Sequence, residues 1–193
     1  MQKQANSKRN SDLWKGLVAG VIGGVTASVV MNQFQKIWQK FAEGEQRSHG
    51  AQSMQQGSPE HGAGRYLKEH GADDADDDAT GRLANFISVA GFDHELTEAE
   101  KKKIGTVFHY GFGTSTGAAY GVAAEIFPEI TSGAGMPFGA FIWLTADEGV
   151  VPLLGLSEDA ADYPFSILAY GLASHLVYGL TVEIVRRTTR DML

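Results

Sequence analysis

LWKGLVAGVIGGVTASVVM, the run from Leu13 to Met31, decides the fold. Apart from Lys15 it carries no charge. At about 1.5 Å per residue in a helix it can cross a hydrocarbon core roughly 30 Å thick. The polar residues Met1 to Asp12 ahead of it give it the outline of a secretory signal. No small-residue cleavage site followed by a mature globular sequence comes after it, so it reads as a retained helix. With its flank, it is assigned as a transmembrane helix over residues 13–34, behind a tail of residues 1–12.

Three further runs extend the pattern. Residues 104–127 (IGTVFHYGFGTSTGAAYGVAAEIF) hold one strong charge, Glu125, just before Pro128. Thr97 and Glu100 form a capping box that starts this helix outside the membrane. Residues 135–156 (GMPFGAFIWLTADEGVVPLLGL) are interrupted by Asp147 and Glu148, and Pro152 is expected to bend the helix. Residues 163–185 (YPFSILAYGLASHLVYGLTVEIV) are apolar except for His175 and Glu183 and stop at Arg186 and Arg187. The predicted class is therefore all-α: a polytopic four-helix transmembrane bundle with a long external acidic loop over residues 35–103.

Composition alone points elsewhere, because 193 residues with 20% charged side chains and a net charge of -7 describe an ordinary acidic soluble domain. The charges, however, are segregated into the first dozen residues, the stretch from about Phe41 to Lys103, and the last eight residues. A soluble glycine-rich bundle is the alternative, but it needs polar outer faces, and four apolar runs in so short a chain leave nothing to supply them. The chain has no cysteine, so thiolate metal sites, cysteine nucleophiles and disulfides are excluded.

Basic residues set the orientation. Lys3, Lys8, Arg9 and Lys15 precede the first span, and Arg186, Arg187 and Arg190 follow the last, which places both termini in the cytoplasm. The turn at 128–134 is then cytoplasmic, the loop at 157–162 external and the tail at 186–193 cytoplasmic. Trp14, Trp38 and Tyr163 fall near the interfaces.

Within the external loop, about Gly44 to Gly64 is rich in Gln, Ser, Gly and His and is expected to be flexible. Beyond it, Leu83, Phe86, Ile87 and Val89 form one face of a short helix at the membrane surface. Between them, Asp73, Asp74, Asp76, Asp77 and Asp78 lack the glycine and glutamate positions of a calcium loop and read as a solvated negative run.

Gly16, Gly20 and Gly24 recur every fourth residue in the first span, as do Gly113, Gly117 and Gly121 in the second. Such stripes are helix-packing faces, because small residues let backbones approach closely in lipid. They serve packing within the bundle, a homo-oligomer, or both.

Any chemistry falls to ionisable groups inside the spans: His109, Asp147, Glu148, His175 and, nearer the cytoplasm, Glu125 and Glu183. Counted from the outer ends, His109 lies about 8 Å deep, Asp147 about 14 Å and His175 about 18 Å. The series continues to Glu183, and Arg186 or Arg187 is placed to neutralise Glu183 or Glu125. Histidines beside a carboxylate suit a proton relay. The set His109, Asp147 and His175 equally suits a divalent metal such as zinc, iron or manganese, although no cofactor is required by the sequence. Polar cross-helix bonding without further function is the third reading.

The second half resembles the YagU-like family of bacterial inner-membrane proteins. The shared pattern is His109, Tyr120 and the AE-x-FP ending of Ala124, Glu125, Phe127 and Pro128, then Gly135, Gly139, Pro152 with the following LLGL, and finally His175, Glu183, Arg186 and Arg187. The resemblance covers about Ile104 to Arg190 and implies location and architecture but no reaction. It departs from the family's namesake at Asp147, where that protein has a histidine.

No phosphate-binding loop, nucleophile elbow, zinc-protease helix or basic nucleic-acid patch is present. The expectation is a non-enzyme embedded in lipid, with no nucleic-acid partner. It either passes protons or small cations through its polar interior or serves as an accessory or assembly subunit of a larger membrane complex.

Overall fold

The computed structural model describes residues 2–42, 57 and 59–193. Among these the chain is helical, with no strand: α1 (Gln2–Ala42), α2 (Gly62–Glu69), α3 (Ala79–Phe92), α4 (Glu98–Ile126), α5 (Met136–Ile142), a π-helical stretch (Trp143–Val150), α6 (Val151–Leu153) and α7 (Phe165–Met192). Two segments, Asp12–Trp38 and Phe165–Met192, are long and apolar enough to cross a membrane.

Helix starts follow local chemistry. Asp78 caps α3 by accepting from the Gly81 amide at 2.8 Å. The box at the head of α4 forms as expected, with the Thr97 amide donating to Glu100 at 2.9 Å and the Glu100 amide returning to Thr97 Oγ1 at 3.4 Å. The bonds that the Thr97 amide and hydroxyl donate to it hold the Glu100 carboxyl below its usual range. The helix ends at Ile126, two residues before Pro128, which opens a 3₁₀ turn.

The chain divides into two compact units. The first comprises residues 1–37, 110–141 and 173–193, the second residues 38–109 and 142–172. In the first, α1 and α4 run antiparallel through the two expected glycine stripes. A Cβ placed on Gly16 would lie 2.5 Å from the Gly121 carbonyl, one on Gly24 2.5 Å from that of Gly113, and Gly20 abuts Gly117 in the same register. These are backbone-on-backbone contacts that any side chain would prevent. On the next face of α1, a Cβ on Gly23 would meet the Val182 carbonyl of α7 at 2.9 Å, while Gly135 and Gly139 pack against Gly179 and His175 of α7.

The second unit is folded, and its helix α3 carries Leu83, Phe86, Ile87 and Val89, the residues expected on one short helix. Its apolar clusters join Ala63, Ala79 and Leu156 with Leu83, Phe86 and Val151, and Leu67, Ala72 and Val89 with Tyr66 and Phe86. Arg82 lies 0% exposed among them. Its guanidinium donates to the carbonyls of Leu156 at 2.9 Å and Asp74 at 2.7 Å, and also to that of Gly57. Asn85 ties the Ala72 carbonyl to the Leu96 amide, both at 2.9 Å. Most of the stretch from Gly44 to Gly64, expected to be flexible, lies outside the described residues.

The acidic run is not simply solvated. Asp73 faces Arg82 at 3.4 Å, Asp77 is buried against Lys101, and Asp78 is the helix cap. The third predicted span also differs from a plain helix. Its irregularity is the π-helical stretch, which begins well before Pro152. Pro152 has no N–H with which to continue the ordinary hydrogen-bond ladder.

Candidate functional site

The densest concentration of chemistry in the first unit lies where the ends of α4 and α7 meet the start of the described side chains of α1. Glu183, on α7, is only 1% exposed. Its Oε2 accepts from Arg186 Nε at 2.7 Å and from the Tyr120 hydroxyl at 3.1 Å. Its Oε1 accepts from Arg186 at 2.9 Å and Arg187 at 3.0 Å. The spacing i, i+3, i+4 on one helix brings both arginines to the carboxylate. Tyr120 comes from α4 and stacks on Phe138 of α5 at 4.4 Å.

A second carboxylate completes the network. Glu125 accepts from Arg190 at 2.7 Å and lies 4.0 Å from Arg186. Arg190 also donates to Asp12 of α1 at 3.0 Å. Three carboxylates and three guanidiniums therefore join α1, α4 and α7, and Arg186 links buried Glu183 to partly buried Glu125.

Away from this cluster a file of hydroxyls follows α4. Tyr178 donates to the Gly113 carbonyl at 2.5 Å and lies 2.9 Å from Thr116 Oγ1. Near the α1 side, Asn32 donates to the Tyr110 hydroxyl at 2.9 Å. Ser174 and His175 are buried on α7, and Ser174 Oγ has no hydrogen-bond partner.

Of the residues singled out from sequence, Glu125, His175 and Glu183 belong to the first unit, and His109, Asp147 and Glu148 to the second. Glu125 and Glu183 are brought together, and Arg186 neutralises them as expected. His175 lies two turns before Glu183, about 12 Å along α7, and its carbonyl receives Gly139. Asp147 and Glu148 sit inside the π-helical stretch, a geometry often found at functional positions. Asp12 and Tyr178 were not singled out. Asp12 is one acid in a polar tail, and Tyr178 is one aromatic in an apolar helix.

In the second unit a further cluster forms where the head of α4 meets the acidic run before α3. The Lys101 ammonium, almost wholly buried, bonds Asp77 at 2.8 Å and Glu98 at 2.9 Å. Asp74, Asp77 and Glu98 have oxygens within 4.8 Å of one another, beside a cavity of about 410 Å³ also lined by Asp73 and Glu95. Burial pushes the Asp77 carboxyl up, and its acidic neighbours Glu98 and Asp74 add to this against the pull of Lys101. Burial pushes Lys101 down, but its bonds to Asp77 and Glu98 outweigh it, so the ammonium is held more firmly than usual. The lysine thus occupies the position of the cation that such a group of acids would otherwise need.

Residues 85–184 match the family described as "Protein of unknown function (DUF1440)". The chain is 32% identical over 87 residues to the inner membrane protein YagU of Escherichia coli (strain K12), a match covering 45% of this chain and 43% of that protein. The matched part is thus under half the length of the curated relative. No solved structure matches. Of the residues that carry the YagU-like resemblance, Tyr120, Glu183 and Arg186 form one bonded group and Gly135 and Gly139 pack against α7, and the family match spans more than half the chain. The chain belongs to the DUF1440 family, which includes YagU-like inner-membrane proteins.

Proposed function

We propose that the chain is an integral protein of the bacterial inner membrane, crossing it four times with both ends cytoplasmic, and that it acts as a non-catalytic accessory or assembly subunit. The observation that carries the membrane placement is an inverted distribution of polarity in the first unit. Val21, Ile22, Val25, Val29, Phe112, Phe141 and Ile184 face outward, while Ser28, Ser174, His175, Glu183 and Arg186 are buried. A protein folded in water places these groups the other way round, whereas lipid favours large apolar side chains outside and small or paired polar ones within.

The topology is supported by three helix ends. Arg190 of α7 donates to both Asp12 of α1 and Glu125 of α4, and Gly135, at the entrance to α5, lies against Gly179 and Glu183. The start of the first span, the end of the second, the start of the third and the end of the fourth therefore share one end of the unit. That is the arrangement four crossings require, and the similar Escherichia coli protein is named an inner membrane protein.

The accessory role is favoured over conduction by the state of Glu183. Both of its oxygens are saturated by two arginines and a tyrosine, so a proton could reach it only by breaking a buried ion pair. Removing one partner of such a pair costs about 3–5 kcal/mol. The glycine faces also bring backbones into contact and leave no gap between α1 and α4.

Passage of protons or small cations is the second reading, favoured by buried His175 beside Ser174. The divalent-metal reading rests on His109, Asp147 and His175, and no observation on either unit adds to it. The two leading readings separate in one preparation. Purified in mild detergent, the accessory subunit comes out in fixed ratio with other polypeptides. Reconstituted into liposomes loaded with a pH-sensitive dye, it shows the same flux as empty liposomes, and Asp147→Asn and His175→Ala change nothing. Flux abolished by either substitution would establish conduction instead.

A further inference from the structure

The second unit carries an apolar cleft of about 190 Å³ between α3 and the first turns of α4, lined by Ala84, Ile87, Phe92, Leu96, Ile104 and Phe108. Its rim is strongly exposed: Phe92 is 80% and Ile87 45% accessible. In water such a rim is a liability rather than a surface. We propose that this cleft seats phospholipid acyl chains at the external interface of the bilayer, an inference that rests on the membrane placement proposed above.

Two observations select lipid as the occupant. First, the floor of the cleft is continuous with an apolar stripe of a single helix. Ile104 and Phe108 are followed at the same four-residue spacing by Phe112, and Val107 on the adjacent row is also exposed. The cleft is thus the outer end of the row that, further along α4, faces lipid. Second, Lys102 and Lys103 are exposed on the turn that carries Ile104. Their stems can lie along apolar surface while their ammonium groups reach lipid phosphates. Lys101, the first lysine of the run, is turned inward to Asp77 and Glu98, so the two outward lysines are those free to face headgroups.

The absence of cysteine makes the test direct. Single-cysteine variants Ile87→Cys, Phe92→Cys, Val25→Cys and Glu69→Cys are spin-labelled in the full chain and reconstituted into vesicles of phosphatidylethanolamine and phosphatidylglycerol. The accessibility of each label to oxygen, which concentrates in lipid, is compared with that to a water-soluble nickel chelate. All four side chains are exposed, so none of the substitutions disturbs packing. The proposal expects the labels at Ile87 and Phe92 to follow Val25, gaining oxygen and losing chelate, while Glu69 shows the reverse. It is overturned if Val25 is oxygen-accessible and Ile87 and Phe92 follow Glu69, or if they are shielded from both reagents, which would mean that protein covers the cleft. If Val25 too favours the chelate, the membrane placement itself fails and the cleft proposal falls with it.

Discussion

Gly117→Ala adds one methyl group to the point where α1 and α4 touch. That Cβ would lie 2.6 Å from Gly24 Cα, 2.7 Å from the Gly20 carbonyl oxygen and 2.8 Å from the Gly24 nitrogen, whereas ordinary contact begins near 3.4 Å. All three neighbours are backbone, so no rotamer change relieves the overlap and the helices must separate by about 0.8 Å (3.4 minus 2.6). A gap of 0.5–1 Å forfeits about a quarter to a half of each facing dispersion contact, and overpacking of this kind costs about 1–3 kcal/mol. Gly111→Ala is the matched control, because nothing lies within 4 Å of its added carbon on the same helix. Without a clash, replacing a helical glycine by alanine is neutral or favourable by up to about 1 kcal/mol. Unfolding in mixed detergent micelles, titrated with SDS and followed by circular dichroism, should therefore show Gly117→Ala destabilised and Gly111→Ala unchanged or stabilised. Equal behaviour of the two variants would refute the close-packed glycine interface.

Other substitutions probe the buried charges. Glu183→Gln takes from Arg186 its hydrogen-bonded counter-charge and leaves it Glu125 at 4.0 Å, which should cost about 3 kcal/mol, the low end for a broken buried pair, in the same titration, whereas Tyr120→Phe removes one hydrogen bond and should cost about 1 kcal/mol. Arg82→Met takes the guanidinium from the carbonyls of Gly57, Asp74 and Leu156 and removes the ion pair with Asp73. It should unfold the second unit selectively, read as loss of amide exchange protection in α2 and α3 with α1 protection retained. Asp77 gives a pH prediction: its folded-state pKa is raised, chiefly by burial, so the folded chain holds that proton more tightly than the unfolded chain. Its contribution is complete below the unfolded value, about 3.9, and is lost as pH rises through the raised value. Exchange protection of α3 should show that acid-side gain in the wild type and not in Asp77→Asn, and identical pH profiles would refute it.

Much of the first unit was legible because its signals are local and periodic. A glycine every fourth residue can serve only one helix face, and Gly16, Gly20 and Gly24 do meet Gly121, Gly117 and Gly113. Glu183 with Arg186 and Arg187 was readable from helical spacing. In the second unit the capping box of Thr97 and Glu100 and the short helix through Phe86 were readable from local pattern, but the rest was not, because its organising contacts join residues far apart in sequence. Nothing around Arg82 announces that it will bond Leu156, 74 residues away. A run of five aspartates looks solvated until its partners are known: Asp73 faces Arg82, Asp77 faces Lys101, and Asp78 caps α3. The π-helical stretch was missed for a related reason. Pro152 marks a disturbance of the helix, but the register it imposes is set upstream, where Asp147 and Glu148 sit.

The most direct test of the account is the sidedness of the chain in intact cells. Glu69→Cys and Asp191→Cys, in a chain with no other cysteine, are treated with a membrane-impermeant maleimide before and after the inner membrane is opened. The account predicts that the cysteine at 69 reacts from the outside at once and the one at 191 only after opening. Reaction of both from the same side would contradict it, as would release of the protein from the membrane by alkaline carbonate.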